Sequence, residues 1–493
     1  MKASDKNQPD DMQSVFRLVV KFRDHLNLPY HDAVEINHFF SQTDWLPIKQ
    51  LHKNFPGLKI DKLFTSLQPR RITELSRSAE KLDGNYQTPD FLSFYTLDCP
   101  YENYSNEILK ILHSHEEIEL TYMETGPSFP PSSPDVYSLP EIDQGYLRAA
   151  PEGIDAGYAW PQQGGYGAGR VKFIDIEQGW NLDPGNGFVK SLSCTGLNFP
   201  VFKEHGESVL GVILKQHDSS GGKGIAPGAN AYIVSQWRPD GNFNTADAIL
   251  AAISELDFGD IILIEAQVFE YPNMQNLWPV EIQPAIFESI RLATSLGITV
   301  IEAGGNGQNS SGEGNDLDNF KNEPGRKVLD QESSDFRDSG AILVAAASDG
   351  MPHKRISYSN YGSRMDCYAW GERVLAGRSH LGPSQIAINA YRKKISGTSS
   401  AAAIIAGAAI LVQSITESNY NFRLNTKQLR QILSDDLMGT PSANSRSVDR
   451  IGSMPDLKKI IEHIHLNRHR LQMTSDLMHV SNAKSNTPAA MPG

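Results

Sequence analysis

The stretch Gly397-Thr398-Ser399-Ser400-Ala401, which runs into the uncharged small-residue segment Ala401 to Leu411, constrains this chain more than any other. Ala and small apolar residues favour helix, and a Gly-Thr turn ahead of them sets where that helix begins. Ser399 therefore belongs at or beside a helix N-terminus, where backbone N–H groups lack intrahelical partners and the field favours negative charge. A hydroxyl held there can attack a carbonyl while neighbouring N–H groups receive the oxyanion. Ser and Thr are also the usual helix caps, so this motif gains chemical meaning only from company elsewhere.

A nucleophilic serine needs a base, and the base needs an orienting carboxylate. Arg170 to Asp175 reads as a short buried strand ending in an acid, and the C-terminal ends of parallel strands are where catalytic groups gather in open α/β sheets. In Glu204-His205-Gly206, the helical apolar pattern of Val209, Val212 and Ile213 follows at once. His205 is thus expected near the start of a helix. The β-branched run Gly297 to Ile301 leads into Ala303-Gly304-Gly305-Asn306-Gly307, and an Asn amide can donate to an oxyanion. An Asn-Gly turn without function reads the same way.

The order Asp175, His205, Asn306, Ser399, each within its own motif, resembles the subtilisin-like serine proteases, the subtilases. Gly224-Ile225-Ala226-Pro227-Gly228-Ala229, the strand Ser339 to Ala347 and the segment Ser359-Asn360-Tyr361-Gly362 are similar to further family motifs, and the resemblance spans residues 145–465. It implies an α/β fold with a mostly parallel sheet flanked by helices, and a serine endopeptidase acting on protein or peptide substrates. Ser399 would be the nucleophile, His205 the base, Asp175 its orienting acid, and the Asn306 amide with the Ser399 N–H the oxyanion hole. No cofactor is required by that chemistry.

Several positions depart from the family pattern. Glu207 and Ser208 stand where Thr and a second His are usual, Ala403 where Pro is common, and Asp175 is followed by Ile176-Glu177-Gln178-Gly179 instead of a short Ser/Thr-Gly. They mark a divergent branch, and they keep open an alternative, a catalytically silent subtilase-fold binding module. A related family that uses Ser with Glu and Asp lacks the His-Gly motif, so His205 argues against it.

Asp260 to Gln267 falls where the family has a strand ending in Ser-Leu-Gly, which pairs with the peptide backbone of a substrate. The resemblance therefore implies substrate-binding roles for Glu265, Ala266 and Gln267 on one wall and Ala303, Gly304 and Gly305 on the other. Glu265 and Glu302 lie near the ends of these two strands. They are expected to make an acidic pocket for a basic side chain, unless they serve structural ion pairs.

At 493 residues the chain has room for one large α/β domain and a smaller one. The net charge of −13 argues against nucleic acid or an anionic membrane as partner. The three cysteines, Cys99, Cys194 and Cys367, are widely spaced and expected as free thiols. The polar N-terminus argues against a classical signal peptide, and Ala401 to Val412 is too short to span a bilayer. The expected location is cytoplasmic, with unconventional export left open.

Residues 1–13 read as a disordered tail. Residues 14–125 read as a small α+β domain, with strands at Val15–Phe22, Phe91–Leu97 and Ile118–Met123 and helices around Asp32–Phe40, Arg71–Leu82 and Glu107–His115. This domain resembles a subtilase propeptide, which implies a folding template and inhibitor, displaced by processing or by an activating partner; an ordinary docking domain is the alternative. Residues 126–144 form a Pro-rich linker suited to a processing cut, residues 145–465 the peptidase domain, and residues 466–493 a flexible tail. In the polar loop Gly307 to Arg337, Gly314 to Asn319 offers oxygen ligands for Ca²⁺ but lacks EF-hand spacing. No metal site is assigned.

Overall fold

A strand buried on both faces reads as an unbroken apolar run, and Ile261-Ile262-Leu263-Ile264 and Ile342-Leu343-Val344-Ala345-Ala346-Ala347 are such runs, every residue buried. They lie in the middle of a nine-stranded sheet. The computed structural model describes residues 17–30, 50–51, 53–55, 58–98, 105–126, 128, 135–137, 144–182, 192–217, 222–272, 274–308, 311–378 and 392–483. Contacts divide the chain into two units, one of residues 1–64, 90–129 and 268–274, the other of residues 65–89, 130–267 and 275–493.

The smaller unit holds four antiparallel strands, β1 (Arg17–Phe22), β2 (Lys59–Lys62), β3 (Phe94–Asp98) and β4 (Ile118–Glu124), in the order β2-β3-β1-β4. A helix over Ser105–His113 buries Ile108 and Leu112. Aromatic rings fill the core: Phe22 meets Tyr95 edge-on at 5.4 Å, and Phe64 meets Phe91 edge-on at 5.3 Å. The expected tail 1–13 and the helix around Asp32–Phe40 lie outside the described residues, as do Cys99 and most of the Pro-rich stretch.

The larger unit carries β5 (Lys172–Glu177), β6 (Cys194–Thr195), β7 (Asn230–Ser235), β8 (Ile261–Ile264), β9 (Thr299–Ala303), β10 (Ile342–Ala347), β11 (Cys367–Trp370), β12 (Gly439–Pro441) and β13 (Ser453–Pro455). Their order is β12-β13-β11-β10-β9-β8-β5-β7-β6, and every pairing is parallel except β12 with β13. This is the mostly parallel, helix-flanked α/β architecture expected. The small-residue segment forms a longer helix than Ala401 to Val412. It spans Thr398–Tyr420, is buried through Thr416, and packs on β8, β9, β10 and β11. By length and apolarity alone this helix could cross a membrane, yet here it is the core of the unit.

Two stretches differ from the expected domain limits. Residues 65–89, expected in the N-terminal domain, belong to the larger unit. They contain helix α1 (Pro69–Leu82), which buries Ile72, Leu75 and Ala79 and begins with a Pro suited to the first turn. A buried charge anchors the segment. Asp247 accepts from the N–H of Thr65 at 2.8 Å, from that of Ser66 at 2.9 Å and from Arg238 Nε at 3.0 Å, and Arg238 also donates to Ser66 Oγ at 2.6 Å. The expected tail is helical to Ala483, where Ser475 Oγ donates to the Arg423 carbonyl at 2.6 Å. Within the expected linker, Asp135–Tyr137 form a strand paired with Arg392–Ile395.

Asp247→Ala leaves the Arg238 guanidinium buried without its carboxylate, a change that costs about 3–5 kcal/mol. A urea melt of the full chain checks this loss, and an unchanged midpoint would contradict it.

Candidate active site

Side chains two apart on a strand share a face, and β5 puts Asp175 and Glu177 on one face with Glu177 as its last residue. Across from it begins helix α2 (Lys203–Leu214), with His205 in the first turn. The helix comes close because residue 206 has no side chain. A Cβ there would stand 2.4 Å from the Gly179 carbonyl oxygen and 2.6 Å from Trp180 Cδ1. His205 Nδ1 meets the Glu177 carboxylate, both groups being buried.

Asp175 was the acid expected to orient this imidazole, and the structure gives the contact to Glu177. Asp175 lies one pleat further back, where its Oδ2 accepts from Trp180 Nε1 at 2.7 Å. The acid-x-Gly spacing of Glu177-Gln178-Gly179 is the sequence signal for this. It occurs two residues after the position read from the strand pattern, and the extra methylene of Glu lets its carboxylate reach the helix.

Ser399 is fixed from both sides. Gly397 has φ +113°, a conformation that needs glycine, and its N–H donates to the Gly371 carbonyl at 2.7 Å. The helix Thr398–Tyr420 follows, so Ser399 lies in its first turn as expected. Asn306 Oδ1 accepts from the Thr398 N–H at 3.0 Å and from the Thr398 hydroxyl at 2.9 Å. That hydroxyl in turn accepts from the Gly305 N–H at 3.1 Å. With its oxygen committed, the Asn306 side chain presents Nδ2 as its donor end. Gln267 Oε1 accepts from the Asn306 N–H at 3.0 Å, and the Gly304 N–H donates to the Val344 carbonyl at 2.8 Å. Ser399 Oγ and His205 Nε2 are buried and have no hydrogen-bond partner among the described residues.

Glu265, directly after β8, completes the cluster. It is 1% exposed, and neither carboxyl oxygen has a hydrogen-bond partner among the described residues. Burial pushes its carboxyl well above the ordinary range. The charges of Asp175 and Glu177 add to that, and the neighbouring Ser399 hydroxyl partly opposes it. Asp175 is raised by burial and by the Glu177 charge, with the Trp180 bond opposing. Glu265, Asp175, Glu177 and Ser399 are therefore buried side by side, and Glu177 ties His205 to them.

Glu302 does not join them. Its Oε1 accepts from the Glu281 N–H at 3.1 Å, and Arg364 Nε donates to Glu281 at 2.8 Å. Glu302 belongs to that buried ion-pair cluster, so the expected acidic pocket made jointly with Glu265 is not formed. Ala303 closes β9, and Ala266 lies two residues past the end of β8. In the loop expected to offer Ca²⁺ ligands, Asp316 and Asp318 both pair with Arg450. Among the described residues no cluster of metal-ligating side chains occurs. Glu177, Trp180 and Thr398 are the site residues that motif reading passed over.

A sequence model described as the subtilase family matches residues 195–447, a span that starts after β5 and leaves out Asp175 and Glu177. Subtilisin BL of Lederbergia lenta is 28% identical over 251 residues, 50% of this chain and 77% of that protein. The crystal structure of fervidolysin from Fervidobacterium pennivorans, a keratinolytic enzyme related to subtilisin, has a TM-score of 0.53 at 13% identity, covering 92% of this chain and 62% of its own. The structure of the prenylagaramide maturation protease PagA has a TM-score of 0.44 at 21% identity, covering 63% of this chain and 98% of its own.

Gly206→Ala must push α2 away from the Gly179-Trp180 turn, because one obstacle is backbone. The expected outcome is a lower melting temperature and loss of the His205–Glu177 contact, read from the imidazole NMR signals. Asp175→Asn has the opposite effect on stability. A carboxyl raised in the folded state contributes its full stability below its unfolded value and loses it as pH rises through the folded one. The variant should match the wild type in acid and melt higher at neutral and alkaline pH. A constant difference across pH would contradict this.

Proposed function

The chain belongs to the subtilase family, a family of serine-type peptidases, and on that premise we propose that it is an endopeptidase working through Ser399, His205 and Glu177. The observation that carries this reading is the buried His205–Glu177 contact, together with a Ser399 hydroxyl and a His205 Nε2 that are both buried and have no hydrogen-bond partner among the described residues. Ser399 Oγ attacks the peptide carbonyl and His205 Nε2 takes its proton, later handing it to the leaving amine. Glu177 holds Nδ1, fixes the tautomer and stabilises the imidazolium. The Asn306 Nδ2 and the Ser399 N–H receive the oxyanion. The strand end Glu265-Ala266-Gln267 and the turn Ala303-Gly304-Gly305 flank the substrate chain. Water deacylates the enzyme, and these steps call on no cofactor.

Asp175 supports the acid strand through Trp180, whose ring lies where Gly206 passes. The smaller unit, with its four-stranded antiparallel sheet, suits a propeptide-like inhibitor, and we assign it that role.

A fluorophosphonate probe tests the enzyme reading. It should label the wild type and not Ser399→Ala, and the absence of labelling at residue 399 would overturn the reading. Substitution of the orienting acid tests the assignment. Glu177→Gln should lower kcat/KM on the order of 10⁴-fold, as loss of such an acid does elsewhere. Asp175→Asn should keep most of the activity. The reverse ranking would return the orienting role to Asp175. Mass spectrometry of wild type against Ser399→Ala should show a cut within residues 126–144 only in the wild type.

A further inference from the structure

We propose that Glu265 acts in its protonated form as a positioning residue for the nucleophile. Its carboxylic O–H donates to a lone pair of Ser399 Oγ, so that the serine's own hydroxyl hydrogen is left for His205 Nε2. The proposal rests on the roles given above to Ser399 and His205.

The geometry begins with the backbone. Glu265 directly follows β8, and its N–H donates to the Ile176 carbonyl at 3.2 Å, which anchors it beside the acid strand. Its side chain is enclosed, and both oxygens lack protein partners among the described residues, as does Ser399 Oγ next to it. A buried polar group without a bond costs about 1–3 kcal/mol, so a carboxyl and a hydroxyl left over in one pocket are each other's natural partners. The Glu265 carboxyl faces Asp175 and Glu177 from β5 and Ser399 from the helix Thr398–Tyr420. His205 is already engaged with Glu177. An ionised Glu265 would be a further negative charge beside Asp175 and Glu177.

Protonation state decides the direction of the hydrogen bond. A serine hydroxyl has one hydrogen to give and two lone pairs to receive. A carboxylic acid uses a lone pair and leaves the hydrogen for the imidazole. A carboxylate accepts that same hydrogen and competes with His205 Nε2 for it. Ionising Glu265 therefore disarms the nucleophile, and the enzyme acquires an alkaline limb that Asp175, Glu177 and burial set. Burial and the two neighbouring acids favour the acid form.

The test is the rate at which a fluorophosphonate labels Ser399 in the full chain, followed from mildly acidic to strongly alkaline pH. In the wild type the rate should fall on the alkaline side, by about tenfold for each pH unit past the Glu265 titration. Glu265→Gln keeps a donor in the same place and cannot ionise, so its alkaline fall should disappear. Glu265→Ser removes the carboxyl altogether and should remove the fall as well, which keeps the test intact if the amide variant does not fold. The same alkaline fall in both variants, or its absence in the wild type, would overturn the proposal. A folded Glu265→Gln that is dead at every pH would also overturn it and make Glu265 the base. Absence of labelling at Ser399 in the wild type at all pH values would instead sink the peptidase reading, and this proposal with it.

Discussion

Everything at the candidate site depends on one buried contact, the Glu177 carboxylate against His205 Nδ1. A carboxylate in a dry interior is tolerated only when paired, and an imidazole paired on one nitrogen is fixed in tautomer and direction on the other. The fold supplies the two ends separately. A parallel strand delivers the acid at its C-terminal edge, and a helix delivers the histidine in its first turn. The Gly206 approach to the Gly179-Trp180 turn then sets the gap between them. Nothing else in the pocket needs so exact a fit, since Ser399 is held by a separate clamp of Gly397, Thr398 and Asn306.

The elements that sequence patterns foretell best are those whose cause is local. The helix after Ser399, the helix start at His205 and the strands β1, β3 and β4 of the smaller unit are written in short-range composition and periodicity, whereas β2 is not read there. The fold class follows from the same information, because unbroken apolar strands alternating with helices leave few ways to cover both faces. The contact of His205 with Glu177 and not with Asp175 escapes the sequence for a related reason. Asp175 and Glu177 share a face, so periodicity cannot choose between them. The choice is made by how far α2 stands from the strand end, which is a tertiary distance. Glu302 illustrates the same limit, since its position at a strand resembles that of Glu265 and only the fold places it beside Glu281.

Domain limits were less legible than catalytic motifs, and the Arg238–Asp247 pair shows why. Asp247 reads as an ordinary acid in the first turn of the helix Thr245–Glu255, with Asn244 as the cap. Its carboxylate is spent instead on Thr65, Ser66 and Arg238, residues far away in sequence. Residues 65–89 thus share a core with the peptidase unit although strands of the smaller unit lie on either side of them in sequence. A cut in the stretch 126–144 would divide the chain between segments that both contribute to the larger unit. Release of the smaller unit after such a cut would therefore have to pull residues 65–89 out of the larger unit, or need further cuts on both sides of them.

Asp175, Glu177 and Glu265 in one pocket are a poor arrangement for stability, because burial and mutual repulsion raise two of them. Stabilising replacements should be easy to find there, which is the usual mark of a site kept for function over stability. A fold needing only a hydrophobic strand end at residue 265 could place Leu or Val there. On our proposal, a carboxyl with no hydrogen-bond partner among the described residues stands there because its proton matters to the Ser399 hydroxyl. The same logic separates Glu265 from Glu302, which has Glu281 and Arg364 for company and a structural account of its own. Identical residue types at neighbouring strand ends thus divide into one that accepts from a backbone N–H in an arginine-bearing cluster and one with neither oxygen hydrogen-bonded among the described residues.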